Sequence, residues 1–309
     1  VLYDLDGRDA SRELAEAFDN TDVFRVVQRV FSERDFDRAM ASGRAKVGLR
    51  IPPDFSDRLM RGEQTQVQVL IDGSDSQTAT AALRAGNLLG TALSLRRARA
   101  FGEALQLAPA RDAAGNAQLP IEVRARLLYN PALDSSHFFL PGLVGIILQL
   151  VTLFLTAFSV VRERELGTLE QLFVTPVGRV GLILGKLVPY AVIGFVETLA
   201  VLTVMVYLFG VPIAGDLLSL LLLATLFLFC ALGLGVLIST IARSQFQAMQ
   251  LAFLVMLPSI LLSGFVFPRA QMPLPIYFLS FLIPVTYFLE ILRGIILRAA
   301  APADLLPWI

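Results

Sequence analysis

The stretch Arg162-Glu163-Arg164-Glu165-Leu166-Gly167-Thr168-Leu169-Glu170-Gln171-Leu172-Phe173-Val174-Thr175-Pro176 decides how the rest of the chain is read. It directly follows Phe138–Val161, 24 residues without a charge, and precedes another apolar segment. A run of that length crosses roughly 30 Å of hydrocarbon, so the charge cluster behind it must lie outside the lipid at one membrane face. Leu166, Leu169, Leu172 and Phe173 recur at spacings of three and four, which on a helix is one apolar stripe. Glu163, Arg164 and Glu170 project elsewhere. Thr175 precedes Pro176, whose ring disfavours helical geometry in the residue before it, so a helix stops there. Residues 162–176 therefore read as a short amphipathic helix on the membrane surface between two spans.

Working outward, three more spans follow at about 187–209, 217–242 and 246–267. The first of these holds one acid, Glu197, and the other two carry no charge at all. Pro258 is an expected kink in the last. The connection Gly210–Asp216 has no Lys or Arg, whereas Arg162, Arg164, Arg179, Lys186 and Arg243 gather at the opposite face. The excess of Lys and Arg on cytoplasmic connections makes residues 162–176 cytoplasmic and residues 1–137 external. Beyond Phe267 the apolar run Leu274–Leu289 is only 16 residues long and is interrupted by Pro275 and Pro284. That pattern fits re-entrant or external helices over about 268–300. Glu290 and Arg293, three residues apart, read as a pair on a helix surface. Residues 304–309 read as the start of a last span, and Tyr277, Tyr287 and Trp308 as an interfacial aromatic belt.

The first part of the chain has another character. The net charge is zero, yet residues 1–137 carry 18 Lys/Arg and 19 Asp/Glu while residues 138–309 carry 8 and 7. Residues 1–137 alternate strand-like runs (23–31, 45–51, 66–71, 121–128) with helical ones (11–18, 33–41, 53–60, 76–107), a mixed α/β domain. Asp9 or Ser11 would cap the first helix and Ser32 the second. Gly86, Gly90 and Gly102 weaken the case for one unbroken helix from Ser76 onward. The lack of a basic excess argues against a nucleic-acid partner. The single cysteine, Cys230, sits in an apolar run and reads as a small buried residue. A Walker-type phosphate loop is excluded at Gly181–Lys186, because Val180 stands where its first glycine belongs and Leu187 follows the lysine. Gly181 and Gly185 read instead as a close helix-packing surface.

The pattern Glu-x-x-x-Gly-Thr-x-Glu-Gln-Leu-x-Val-Thr-Pro from Glu163 to Pro176 resembles the signature of ABC-2 type transporter permeases. Gly264-Phe265-Val266-Phe267-Pro268 and Pro284-Val285-Thr286-Tyr287-Phe288 are similar to further motifs of that family. A fainter likeness from Asp4-Leu5-Asp6 to Asn130-Pro131 resembles the outer domain of bacterial drug-export permeases. The resemblance implies an α-helical multi-pass membrane domain of the type V exporter kind over 138–309, joined to an extracytoplasmic α/β domain over 1–137. It implies a first span before Val1 and a last one following Leu305.

On that resemblance 162–176 is the coupling helix that docks on a separate ATP-binding subunit. Its expected coupling residues are Glu163, Arg164, Leu166, Gly167, Thr168, Leu169, Glu170, Leu172, Phe173 and Pro176. ATP and Mg2+ would be bound by the partner, and no cofactor by this chain. A second permease copy, a periplasmic adaptor and the bilayer complete the implied partners, in a bacterial cytoplasmic membrane. Glu197, Gly264, Phe265, Phe267, Pro268, Pro284 and Tyr287 are candidates for the translocation route or the dimer interface. The expected function is export of an amphiphilic, drug-like or lipid-like substrate. The alternatives are a membrane-anchored receptor with a ligand-binding outer domain, and an intramembrane enzyme. The enzyme reading lacks a pair of catalytic groups, since Glu197 is the only acid in the core of a complete span.

Overall fold

A computed structural model of the chain describes all residues except 22, 106–109, 113, 169–177, 270–271 and 309. It divides into two compact units, Val1–Asp134 and Ser135–Ile309.

The first unit is built on a four-stranded sheet in the order β1 (Leu2–Asp4), β2 (Val47–Ile51), β3 (Thr65–Asp72), β4 (Ile121–Leu128). β1 and β2 are parallel, β2 and β3 antiparallel, and β3 and β4 parallel, in register from Thr65 opposite Ile121 to Asp72 opposite Leu128. Strand periodicity produces the core directly: Val67, Val69 and Ile71 are fully buried on one face while Gln68 is exposed on the other. Each such apolar side chain contributes about 1.5–3 kcal/mol relative to exposure. Helices α1 (Asp9–Asp19), α2 (Glu33–Ala41), α3 (Phe55–Met60) and α4 (Ser76–Leu105) cover the sheet. Phe18, Leu14, Phe55 and Ile51 close the main core against β3.

α4 runs unbroken for 30 residues, and at Gly90 the reason for glycine is contact. A Cβ there would stand 2.3 Å from Val123 Cγ2, so the helix lies directly on β4. Two local expectations need correction. Ser32 does cap α2, accepting from Asp35 N. The N-cap of α1, however, is Arg8, without a side-chain cap bond, and the Ser11 hydroxyl instead bonds Asp4 Oδ2 at 2.8 Å from inside the helix. Residues 23–31 alternate as a strand should, yet among the described residues they form only one bridge, Arg29 to Leu2. The Asp19 carboxylate and the Thr21 hydroxyl take the backbone N–H groups of Val26 and Phe24, which a ladder would have used.

The second unit is helical: α5 (Ser135–Glu165), α6 (Arg179–Tyr207), α7 (Leu217–Ile241), α8 (Gln245–Leu262), α9 (Leu274–Ser280) and α10 (Pro284–Arg298). α5 through α8 are each long and apolar enough to cross a membrane. α9 and α10 are bent by 82° at their break. The proline at the first turn of α10 accounts for the restart, because its missing N–H falls where no helical partner exists. Small residues let the spans approach. At Gly194 of α6 a Cβ would meet Leu228 Cδ1 at 2.5 Å and Thr152 Oγ1 at 3.2 Å, and at Gly235 of α7 it would meet Thr156 Cβ at 2.7 Å. Gly185 does not serve this purpose, since a Cβ there would meet nothing within 4 Å. Cys230 is exposed on α7 rather than buried. An apolar residue on a span faces lipid as readily as protein, so hydrophobicity alone does not place it.

Candidate functional site

One end of the helical unit is tied together by polar contacts. α5 continues past the apolar run through Arg162–Glu165, because nothing there breaks a helix, and it stops at Gly167, whose φ is +70°. Residues 162–165 are thus the last turn of α5, not the start of a separate helix. Gly167 N donates to Arg164 O at 3.2 Å and the Thr168 hydroxyl to Glu163 O at 3.2 Å, closing the turn. Leu166 is exposed. Leu169, Glu170, Leu172, Phe173 and Pro176 lie outside the described residues.

Three charged side chains of this turn reach the other spans. Glu163 pairs with Lys186 near the start of α6. Arg164 Nη1 donates to the carbonyl of Ala242, the C-cap of α7, at 2.8 Å. Glu165 accepts from the backbone N–H of Gln245 at 2.9 Å, the first residue of α8, and from its side-chain amide. The end of α5 is therefore joined to the ends of α6, α7 and α8. Sequence spacing alone did not foretell that Glu163 and Arg164 have partners within their own chain.

The other end is organised around buried arginines. Arg293 and Arg298 of α10 are 5 % and 4 % exposed, so neither lies on a solvated helix surface. Arg293 sits 4.3 Å from the Phe138 ring centre and donates to Gly264 O at 3.2 Å. Arg298 Nη2 lies 3.6 Å from the Glu290 carboxylate. Arg269 packs over Tyr277, Phe281 and Trp308 at 5.0, 4.6 and 5.6 Å, and its Nε donates to the Ser280 hydroxyl at 3.2 Å. Gly264 adopts φ +88°, and Phe265 packs where a side chain at Gly142 would otherwise stand. Pro268 is buried and Phe267 exposed. Pro284 opens α10, and the Tyr287 hydroxyl donates to Phe281 O at 2.9 Å. Gly264 of the first motif is thus bonded to Arg293 of α10, the helix that the second motif opens. The sequence signal for the arginines was their place within apolar segments, where a charge must find partners.

Between the ends runs a polar seam. Gln149 of α5 donates to the Ser259 hydroxyl of α8 at 3.2 Å, while its Oε1 and the Thr152 hydroxyl are buried without a partner among the described residues. Glu197 on α6, one turn beyond the Gly194–Thr152 contact, likewise has both carboxylate oxygens buried and unpartnered among the described residues. Glu197 does not join the motif residues at the arginine end.

Comparison with known proteins agrees with this architecture. A family model described as "ABC-2 family transporter protein" matches residues 1–309. The probable multidrug ABC transporter permease YbhS of Escherichia coli is 37% identical over 268 residues, covering 86% of this chain and 68% of that protein. The probable multidrug ABC transporter permease YbhR of the same organism is 30% identical over 301 residues, 97% of this chain and 78% of the relative. More distantly, ABC transporter G family member 20 of Dictyostelium discoideum is 27% identical over 180 residues, 58% of this chain and 25% of that protein. No solved structure matches the chain. With spans, motif clusters and a match over its whole length, the chain belongs to the ABC-2 family of transporter proteins, as a multi-pass membrane subunit.

Proposed function

We propose that this chain is the permease subunit of an ATP-driven exporter, working as a dimer with a separate ATP-binding subunit. The observation that carries the reading is the tied end of the helical unit. Glu163–Lys186, Arg164–Ala242 and Glu165–Gln245 link four spans at the point where the chain leaves α5 for residues 166–178. A force applied to that connection reaches α5, α6, α7 and α8 together, which is what converting nucleotide-driven motion into span motion requires. This end also gathers Arg162, Arg164, Lys186 and Arg243, which supports a cytoplasmic location for it and an external one for residues 1–134. Arg269, Arg293 and Arg298 do not weigh against that orientation. They are engaged by aromatic rings, carbonyls and Glu290 rather than lying free in a connection.

In this reading the cargo is an amphiphile that meets Glu197, Gln149 and Thr152 within the spans, in a bacterial cytoplasmic membrane. A receptor reading is not favoured, because the family match extends through the first unit as well. The test is co-purification with candidate ATP-binding subunits, followed by ATPase and export assays in lipid. Leu169→Asp should detach or uncouple the ATPase. Glu197→Gln should leave assembly intact and lower export of amphiphilic dyes. An ATPase that never associates, or a Leu169→Asp protein indistinguishable from wild type, would remove the permease mechanism proposed here.

A further inference from the structure

The segment 23–31 of the first unit leaves an open edge beside β1. Leu2 N donates to Gln28 O and Val30 N to Leu2 O, both at 2.9 Å, which is one parallel bridge centred on Arg29. Successive residues of an extended chain aim their backbone groups to opposite sides. Residues 28 and 30 therefore face β1, and the N–H and C=O groups of Val27 and Arg29 face away from the sheet, before the chain bends at Phe31. None of these four groups has a hydrogen-bond partner among the described residues. Further back, Val26 N and Phe24 N are held by Asp19 and Thr21, which keeps the same alternation and leaves Arg25 turned outward.

The side chains follow that register at the two ends, although Gln28 of the inward row is exposed and Val26 half-buried. Phe24 and Val30 are buried, whereas Val23, Arg25, Val27, Arg29 and Phe31 are exposed, Phe31 at 90 % and Val27 at 75 %. The outward row thus alternates apolar and cationic groups over nine residues. Neither Arg25 nor Arg29 makes an ion pair or a hydrogen bond with any described residue. Proteins usually blunt a free edge with charged side chains, a bulge, a proline or a covering element. At 27–31 the described residues supply only the charge of Arg29, and the large apolar side chains Val27 and Phe31 stand exposed beside it.

We propose that residues 23–31 are a docking edge for an extended segment of a partner protein, which joins the sheet as an added strand. Its outward row would carry carboxylates opposite Arg25 and Arg29, and apolar side chains opposite Val27 and Phe31. The unpaired backbone row selects a peptide over a lipid surface, because only another strand supplies donors and acceptors at the matching repeat. A second copy of this edge is disfavoured: a two-fold pairing about Val27 would set Arg25 against Arg29, and like charges directly opposite are destabilising.

The probe is a short fluorescent peptide with glutamate, valine, glutamate and phenylalanine at alternate positions and threonine between them. Its controls are the lysine-for-glutamate version and a version N-methylated along one edge. Binding is read by fluorescence anisotropy against the full chain in phosphatidylcholine nanodiscs. The glutamate peptide should bind about tenfold tighter than the lysine one, the sum of two cross-strand charge pairs reversed in sign. The double variant Arg25→Glu/Arg29→Glu should invert that preference. Val27→Pro, which removes an outward N–H that has no native partner, should abolish binding of both peptides at unchanged thermal stability. The N-methylated peptide should not bind, a result that depends on no variant. Equal binding of the two charge versions, or undiminished binding of the N-methylated peptide, overturns the proposal. So does arginine-dependent capture of phosphatidylglycerol vesicles without peptide binding, which would make the edge a lipid contact.

Discussion

Arg164→Ala is the sharpest perturbation of the tied end. The guanidinium donates to Ala242 O at 2.8 Å, and that carbonyl belongs to the C-cap of α7, where the last turn has no intrahelical donors left. The cation also faces the negative end of the helix dipole. A hydrogen bond from a charged donor contributes about 1.5–3 kcal/mol, and since the Arg164 side chain is exposed the lower end applies, roughly 1.5 kcal/mol. At roughly 2–4 °C per kcal/mol for a chain of this size, the melting temperature should fall by about 3–6 °C. The assay is size-exclusion chromatography in detergent after stepwise heating. Arg162→Ala is the internal control, because Arg162 lies on the same turn, its side chain exposed and without a hydrogen bond or ion pair among the described residues. It should shift the midpoint by less than about 1 °C, in keeping with a surface change that breaks nothing. Arg164→Lys, a point charge without the fork, should fall between the two. Equal losses for Arg162→Ala and Arg164→Ala, or none for either, would refute the idea that this bond holds the end together.

Two other outcomes follow from contacts elsewhere. Gly235→Val places a side chain where a Cβ alone would lie 2.7 Å from Thr156 Cβ and 3.1 Å from Leu153 O, so α5 and α7 must separate. The expected loss is about 1–3 kcal/mol, read as a lower midpoint and lower yield of folded protein, whereas Gly233→Val, which meets nothing, should be tolerated. In the first unit Arg8 holds the Asp57 carboxyl below the usual carboxylate range by hydrogen bonding and charge. A depressed folded-state pKa contributes stability that is present above the unfolded value of about 3.9 and is lost as pH falls through the folded one. The stability difference between wild type and Asp57→Asn should therefore be measurable at pH 7 and vanish as acidification carries the pH below the depressed folded-state value. A difference that persists unchanged in acid would show that the pair is not its source.

What the sequence by itself determined is the part governed by solvent. A run such as Phe138–Val161 has to span lipid, the charges at 162–165 have to lie outside it, and the alternation at 66–71 has to place Val67, Val69 and Ile71 on one face of a sheet. The motif at 163–176 was likewise legible, and so was the family it resembles. What only the tertiary structure decided is which partner each polar group has. Glu163 and Arg164 looked free on a helix face and are instead joined to α6 and α7, because folding brings Lys186 and Ala242 to the same end. Arg293 looked like half of a surface pair and is buried over Phe138. Cys230 looked buried and is exposed, since a span is apolar on its lipid side as well as its protein side. Residues 23–31 alternate like a strand exposed on one face, yet Asp19 and Thr21 take the N–H groups of Val26 and Phe24, so the pairing beside β1 stops at a single bridge. Periodicity reports the environment of a segment, and the identity of its neighbours depends on chain segments far away in sequence.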